Sequence, residues 1–141
     1  MRIATELNLH RSYARAIKGS VEHFEGARLW YLLYVCDHHF SIAYGRPPVI
    51  QDDTSITQHE KFLQLPGTSQ ADFRLHSQVA IFIILTQTYN AFGPEVDQKL
   101  EEEDLVRLRQ WNIEIDRWRV RWEPQLGTVH PARNKILRIH V

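Results

Sequence analysis

Eight histidines, the adjacent Asp37, His38 and His39, and the acidic pair Asp52-Asp53 hold the chemistry for metal binding or acid–base work in this 141-residue chain. Their spacing suits neither. Neighbours on a helix point about 100° apart, whereas helical zinc sites take histidines three or four positions apart on one face, as in His-Glu-x-x-His. His59 and His76 stand elsewhere in the chain. Asp37-His38 reverses a His-Asp phosphohydrolase pair, and Asp52-Asp53-Thr54-Ser55-Ile56 lacks the last carboxylate of a prenyl-diphosphate magnesium motif. No Gly-x-Ser-x-Gly, no cysteine in a polar setting and no phosphate-cradling glycine loop supplies a nucleophile or a nucleotide site. The expected catalytic, cofactor-binding and metal-ligating residues are therefore none, and the chain reads as a non-enzyme. The alternative is a small helical hydrolase or metal-dependent enzyme using Asp37 and nearby histidines.

The element that carries Asp37 is an apolar, aromatic-rich helix. Ser20 is its candidate N-cap, Gly26 weakens its first turns, and its firm part runs from near Glu25 to about Ala43. On such a helix Leu29, Leu32, Leu33, Cys36 and Phe40 share one broad face, while Trp30, Tyr34, Asp37 and Ser41 run down an adjacent one. Asp37 then lies on a seam at the edge of the core, as a carboxylate needing a partner, and Arg28 and Arg46 are the nearby candidates. Gly45-Arg46-Pro47-Pro48 forces an abrupt exit, because proline lacks the backbone donor and pushes its preceding residue out of the helical region. Arg46 either folds back onto helix carboxylates or carbonyls or faces an anionic ligand.

The remaining elements are helical as well. Residues 2 to 9 suit the last turns of a helix that Asn8 could close, and a weaker stretch from Tyr13 to Ile17 closes at Gly19. Residues 45–68 form a long connection with one short helix near His59 to Gln64. Ser69-Gln-Ala-Asp72 has capping-box spacing and opens a helix to Phe92, before Gly93-Pro94. Apolar residues from Val79 to Leu85 cover every side of it, which predicts a central, surrounded helix. Next, Leu105, Leu108, Trp111, Ile115, Trp118 and Trp122 form one apolar stripe. Glu101 to Asp104 at its start and Arg117, Arg119 and Arg121 near its end match the helix macrodipole, and Pro124 is the expected stop. Glu114, Asp116 and Glu123 interleave those arginines, so a solvated face is expected rather than a phosphate-binding one. Lys135 to Val141 begins an amphipathic element. The fold class is all-α, an array of packed helices, with residues 1–141 forming part of one helical domain expected to be truncated at both ends.

Seventeen basic residues balance seventeen acidic ones, so no net field gathers nucleic acid or an anionic membrane. Unbroken apolar runs such as Val79 to Leu85 are too short to span a bilayer, and no membrane partner is expected. The single cysteine, Cys36, excludes an intramolecular disulfide and reads as an inert buried thiol in a reducing compartment.

Two motifs in order carry a resemblance. Leu7-Asn8-Leu9-His10-Arg11 precedes a signature in which Arg28, Trp30, Leu33, Tyr34, Asp37, Ser41, Gly45, Arg46, Pro47, Pro48 and Ile50 hold fixed places. Together they resemble the fungal-specific transcription factor domain, the middle homology region of zinc-cluster (Zn2Cys6) transcription factors, tightly over residues 4–50 and loosely over most of the chain. The wording from Ala27 to Phe40 is most similar to the subgroup of secreted-protease gene activators and the weak-acid response regulator. Ala27 and His38-His39 depart from the arginine and the basic or polar pair common there. The resemblance implies the regulatory, non-DNA-contacting region of a nuclear protein that modulates transcription by RNA polymerase II. It implies DNA binding through a six-cysteine zinc cluster upstream, with no cofactor in this segment. Other regulatory proteins or a small effector are the implied partners, with a homodimer possible in the full-length protein. A protein-interaction module unrelated to transcription is the third reading.

Overall fold

The computed structural model describes residues 9–92 and 99–126, and no strand occurs among them. The all-α expectation holds. In chain order come α1 (Leu9–Ile17), α2 (Val21–Tyr44), α3 (Thr54–Thr57), a 3-10 helix (His59–Gln64), α4 (Gln70–Phe92) and α5 (Glu102–Leu126). They fall into two compact units, residues 1–100 and residues 101–141. Residues 2–8, Gly93-Pro94 and the element from Lys135 lie outside the described residues.

The stretch expected to be helical from Tyr13 to Ile17 lies within α1, Leu9–Ile17, which ends at the expected residue. Gly19, in the left-handed region at φ 92°, turns the chain into α2. That helix starts at Val21 rather than near Glu25, and Ser20 occupies the N-cap position without a side-chain capping bond. Gly26 explains the early start. A Cβ there would lie 2.7 Å from Ser12 Oγ and 3.2 Å from Ser12 Cβ, so the missing side chain lets α1 cross α2 closely. Tertiary packing of this kind outweighs the propensity penalty of one glycine.

The two faces of α2 are used in the opposite sense to the simplest reading. Trp30, Tyr31, Tyr34, Val35, His38 and Ser41 are buried, whereas Leu29, Leu32, Cys36 and Phe40 are exposed. The aromatic stripe wins the interior because its rings bring large apolar areas together with polar tips that find partners there. Cys36 is accordingly an exposed thiol, not the buried one expected.

The Asp72 half of the capping box before α4 forms: Ser69 N donates to Asp72 Oδ2 at 2.8 Å and Ser69 Oγ to the same oxygen at 3.2 Å, while Asp72 N bonds the Ser69 backbone carbonyl at 3.0 Å. The helix is not surrounded, however. Asp72, His76, Ser77, Val79 and Thr86 are its buried residues, and Ile81 to Leu85 are half-buried, because α2 and the 3-10 helix pack against one side of it. The core of this unit gathers Tyr13, Ala27, Trp30, Tyr31, Ile56 and Phe62 around that side.

In the second unit, α5 opens with Glu101 N donating to Asp104 Oδ2 at 2.9 Å. It passes through Pro124 to Leu126, since a proline this near the end forfeits only its own hydrogen bond, to the carbonyl of the exposed Val120. Arg117, Arg119 and Arg121 consequently stand before the last turn, and the macrodipole match holds at the acidic start alone. Arg117 pairs with Glu114 at 3.2 Å and Arg119 with Asp116 at 3.3 Å, which makes this the solvated face expected. Along the apolar stripe Trp122 is buried, but Leu105 and Ile115 are exposed.

Candidate functional site

The signature residues come together as a ladder by which α2 holds its own downstream connection. Spacings of three and four residues put Trp30, Tyr34, Asp37 and Ser41 on one stripe. Trp30 Nε1 donates to Ser55 Oγ at 3.1 Å, and Tyr34 Oη donates to Asp52 Oδ1 at 2.7 Å. Asp37 accepts the backbone N–H of Val49 at 3.2 Å on Oδ1 and that of Ile50 at 2.8 Å on Oδ2. Ser41 Oγ donates to the carbonyl of Arg46. Tyr31, on the neighbouring buried row, donates its hydroxyl to Ser55 O at 2.8 Å. Each polar tip pairs with a backbone or side-chain group of the connection, and at Ser55 and Ile50 that group belongs to a buried residue.

The turn itself explains Gly45-Arg46-Pro47-Pro48. Gly45 is left-handed at φ 63° and its N–H returns to Ser41 O, to which Arg46 N also donates at 3.0 Å. The two prolines then carry an extended chain past Asp37. Asp37 is thus paired with neither arginine: its partners are backbone amides, and Arg46 contributes its backbone while being exposed. The candidate pairing of Asp37 with Arg28 or Arg46 is corrected here. A carboxylate on a seam beside a tight turn found peptide donors nearer than any guanidinium.

Arg28 has a different carboxylate. Its Nε and Nη2 donate to Asp72 Oδ1 and Oδ2 at 2.7 and 2.8 Å, and Nη1 reaches Glu25 at 2.7 Å. This fork ties α2 to the first turn of α4. Burial by itself would raise the Asp72 carboxyl, but the bonds from Arg28 and Ser69 outweigh it and hold the carboxyl below its ordinary range. The same bond to Asp72 raises the Arg28 guanidinium against the opposing effect of burial.

Acidic and imidazole groups in the connection are structural too. Asp53 caps α3 through Ser55 N at 2.9 Å and Ile56 N at 3.3 Å. His38 donates from Nδ1 to Tyr34 O at 3.0 Å and stacks on the Tyr34 ring, with Nε2 3.8 Å from Asp52. Burial, then the Asp52 contact, raises the Tyr34 hydroxyl far above its usual value, so it stays protonated and able to donate. His59 and His76, 17 residues apart in sequence, meet Nδ1 to Nδ1 at 2.9 Å. Neither was paired with the other by motif spacing, because the contact joins two different elements. No group of three histidine, cysteine or acidic side chains able to hold a metal occurs among the described residues.

Over 125 residues, 89% of the chain, it is 56% identical to the "Transcriptional activator of proteases prtT" of Emericella nidulans. It is 27% identical over 147 residues to the acetamidase regulatory protein of Emericella nidulans and 28% identical over 148 residues to that of Aspergillus fumigatus, each across 96% of the chain. The chain spans about a fifth of the length of each relative, 19%, 18% and 19%. No protein-family model matches it, and no solved structure does.

Proposed function

We propose, for a chain that belongs with the fungal transcriptional regulators by homology over nearly all its residues, that it is a regulatory region tuning a DNA-bound activator. The observation that carries this reading is the 56% identity across 89% of the chain to a transcriptional activator. The side-chain inventory agrees with regulation rather than catalysis, since the carboxylates and imidazoles described above are spent on backbone amides, caps, an arginine and each other. DNA contact belongs to a zinc cluster upstream, in the nucleus, and a balanced charge of seventeen against seventeen suits a segment that does not itself grip a polyanion. Regulatory proteins, a small effector or a second copy are its partners in this reading.

Regulation of this kind requires two arrangements between which the region chooses. The test uses the full-length protein with charged substitutions at exposed positions of α5, such as Leu105 and Val120, which leave buried packing untouched. Reporter output is expected to change while promoter occupancy and protein abundance stay constant. Loss of occupancy at normal abundance would refute the reading, and so would turnover of a substrate by the purified chain.

A further inference from the structure

We propose that the His59–His76 pair is an acid-released latch that fastens the connection of residues 46–68 to α4, so that the two part when their surroundings acidify. His59 is 5% exposed and His76 fully buried, and their Nδ1 atoms lie 2.9 Å apart. At that distance one ring donates its N–H and the other accepts on a bare nitrogen, which a neutral pair can do. A doubly charged pair cannot, because both nitrogens would then carry hydrogens pointed at each other.

The surroundings of His76 oppose an added proton on that ring. His76 Nε2 is buried and has no hydrogen-bond partner. The Phe62 ring lies nearly parallel to His76 at 13°, and His59 is engaged at the Nδ1 edge, so neither gives Nε2 a partner. From α2, Tyr31 packs 4.5 Å away with its hydroxyl given to Ser55 O, and Arg28 is held by Asp72 and Glu25. From α1, the Tyr13 hydroxyl donates to Gln58 O at 3.2 Å. Glu60 and Lys61 of the 3-10 helix are exposed, and Asp53 is turned into the α3 cap. On α4 itself Asp72, one turn earlier, is a charge that would favour a cationic His76, and Arg28 neutralises it. Burial first, and the neighbouring His59 second, push the His76 imidazole down to about 3.

Once the 3-10 helix lifts away, the imidazole regains water and an ordinary pKa of about 6.5. The open form then takes up a proton that the closed form refuses, and its population rises about tenfold for each pH unit below that value. The latch goes beyond the transcriptional reading and stands without it.

Hydrogen exchange on the 141-residue chain between pH 7.5 and 5 tests it, with rates corrected for the intrinsic pH dependence of exchange. Protection of residues 56–65 and of the first turns of α4 should fall about tenfold per unit below pH 6.5, and the His59→Leu/His76→Phe double variant should lose this dependence. Equal pH dependence in both proteins, or none in the parent, would overturn the latch. Should the double variant fail to fold, imidazole NMR of the parent decides. A His76 ring that stays neutral at pH 5 in the closed form supports the latch, and one that titrates near pH 6.5 with protection unchanged overturns it.

Discussion

Asp72→Ala removes the carboxylate that receives both arms of Arg28 and the N–H of Ser69. Its side chain is 1% exposed, so nothing replaces those bonds. Breaking a buried ion pair by removing one partner costs about 3–5 kcal/mol. Here the surviving Arg28 side chain is 32% exposed and can rehydrate, which sets the cost at the lower end, ~3 kcal/mol. Across a unit of this size that corresponds to a melting temperature lower by about 10–20 °C. Arg28→Met should cost more, toward ~5 kcal/mol, because it strands a carboxylate in the interior with only Ser69 for company. The double variant Arg28→Met/Asp72→Leu should then be more stable than either single one. Denaturant unfolding of the four proteins measures the coupling directly. Single variants that melt within a degree or two of the parent, or strictly additive costs, would show that the fork does not join α2 to α4 energetically.

Three further outcomes follow from the geometry. His76 is neutral in the fold at about 3 and titrates at about 6.5 when unfolded, so its contribution is intact above pH 6.5 and is lost as pH falls, by about 1.4 kcal/mol per unit. The lowered carboxyl of Asp72 adds a second loss only below about pH 4, where unfolded aspartate begins to protonate, and a pH series of melts should show both limbs. Gly26→Ala should destabilise by about 1–3 kcal/mol despite alanine's better helix propensity, and Ser12→Gly should restore most of it. Asp37→Asn keeps the size but offers one carbonyl oxygen to two amides, so it should cost about 1–3 kcal/mol, whereas Arg46→Ala should lie within about 0.5 kcal/mol of the parent by chemical denaturation.

Local rules written into adjacent residues were legible in the sequence. The Asp72 half of the capping box, the glycine exit at Gly45 and the short helix from His59 to Gln64 rest on contacts a few residues apart, and each formed. The four-residue α3 was missed, although Asp53 before Thr54-Ser55 is a capping signal that could have revealed it. Periodicity found the two stripes of α2 but could not say which faced inward. Hydrophobicity alone favours the leucines, while the deciding factor was a connection rich in polar groups that only the aromatic stripe could satisfy. Pairings across elements were beyond reach for the same reason: Arg28 with Asp72 and His59 with His76 depend on how helices dock, not on spacing along one of them. The half-buried side of α4 shows the limit of composition, since apolar residues all round a helix state a demand for cover without naming what supplies it.

The ladder on α2 also has a kinetic meaning. Its bonds to the connection close over 12, 13, 18, 24 and 25 residues, whereas the Arg28–Asp72 fork spans 44. Loop-closure entropy rises with length, so the shorter closures form at lower cost and the signature with its connection can assemble as a local nucleus on which α4 condenses. Weakening a rung then slows folding, while cutting the fork mainly speeds unfolding. During synthesis Ser55 leaves the ribosome before any residue of α4 does, so the ladder can close ahead of the fork.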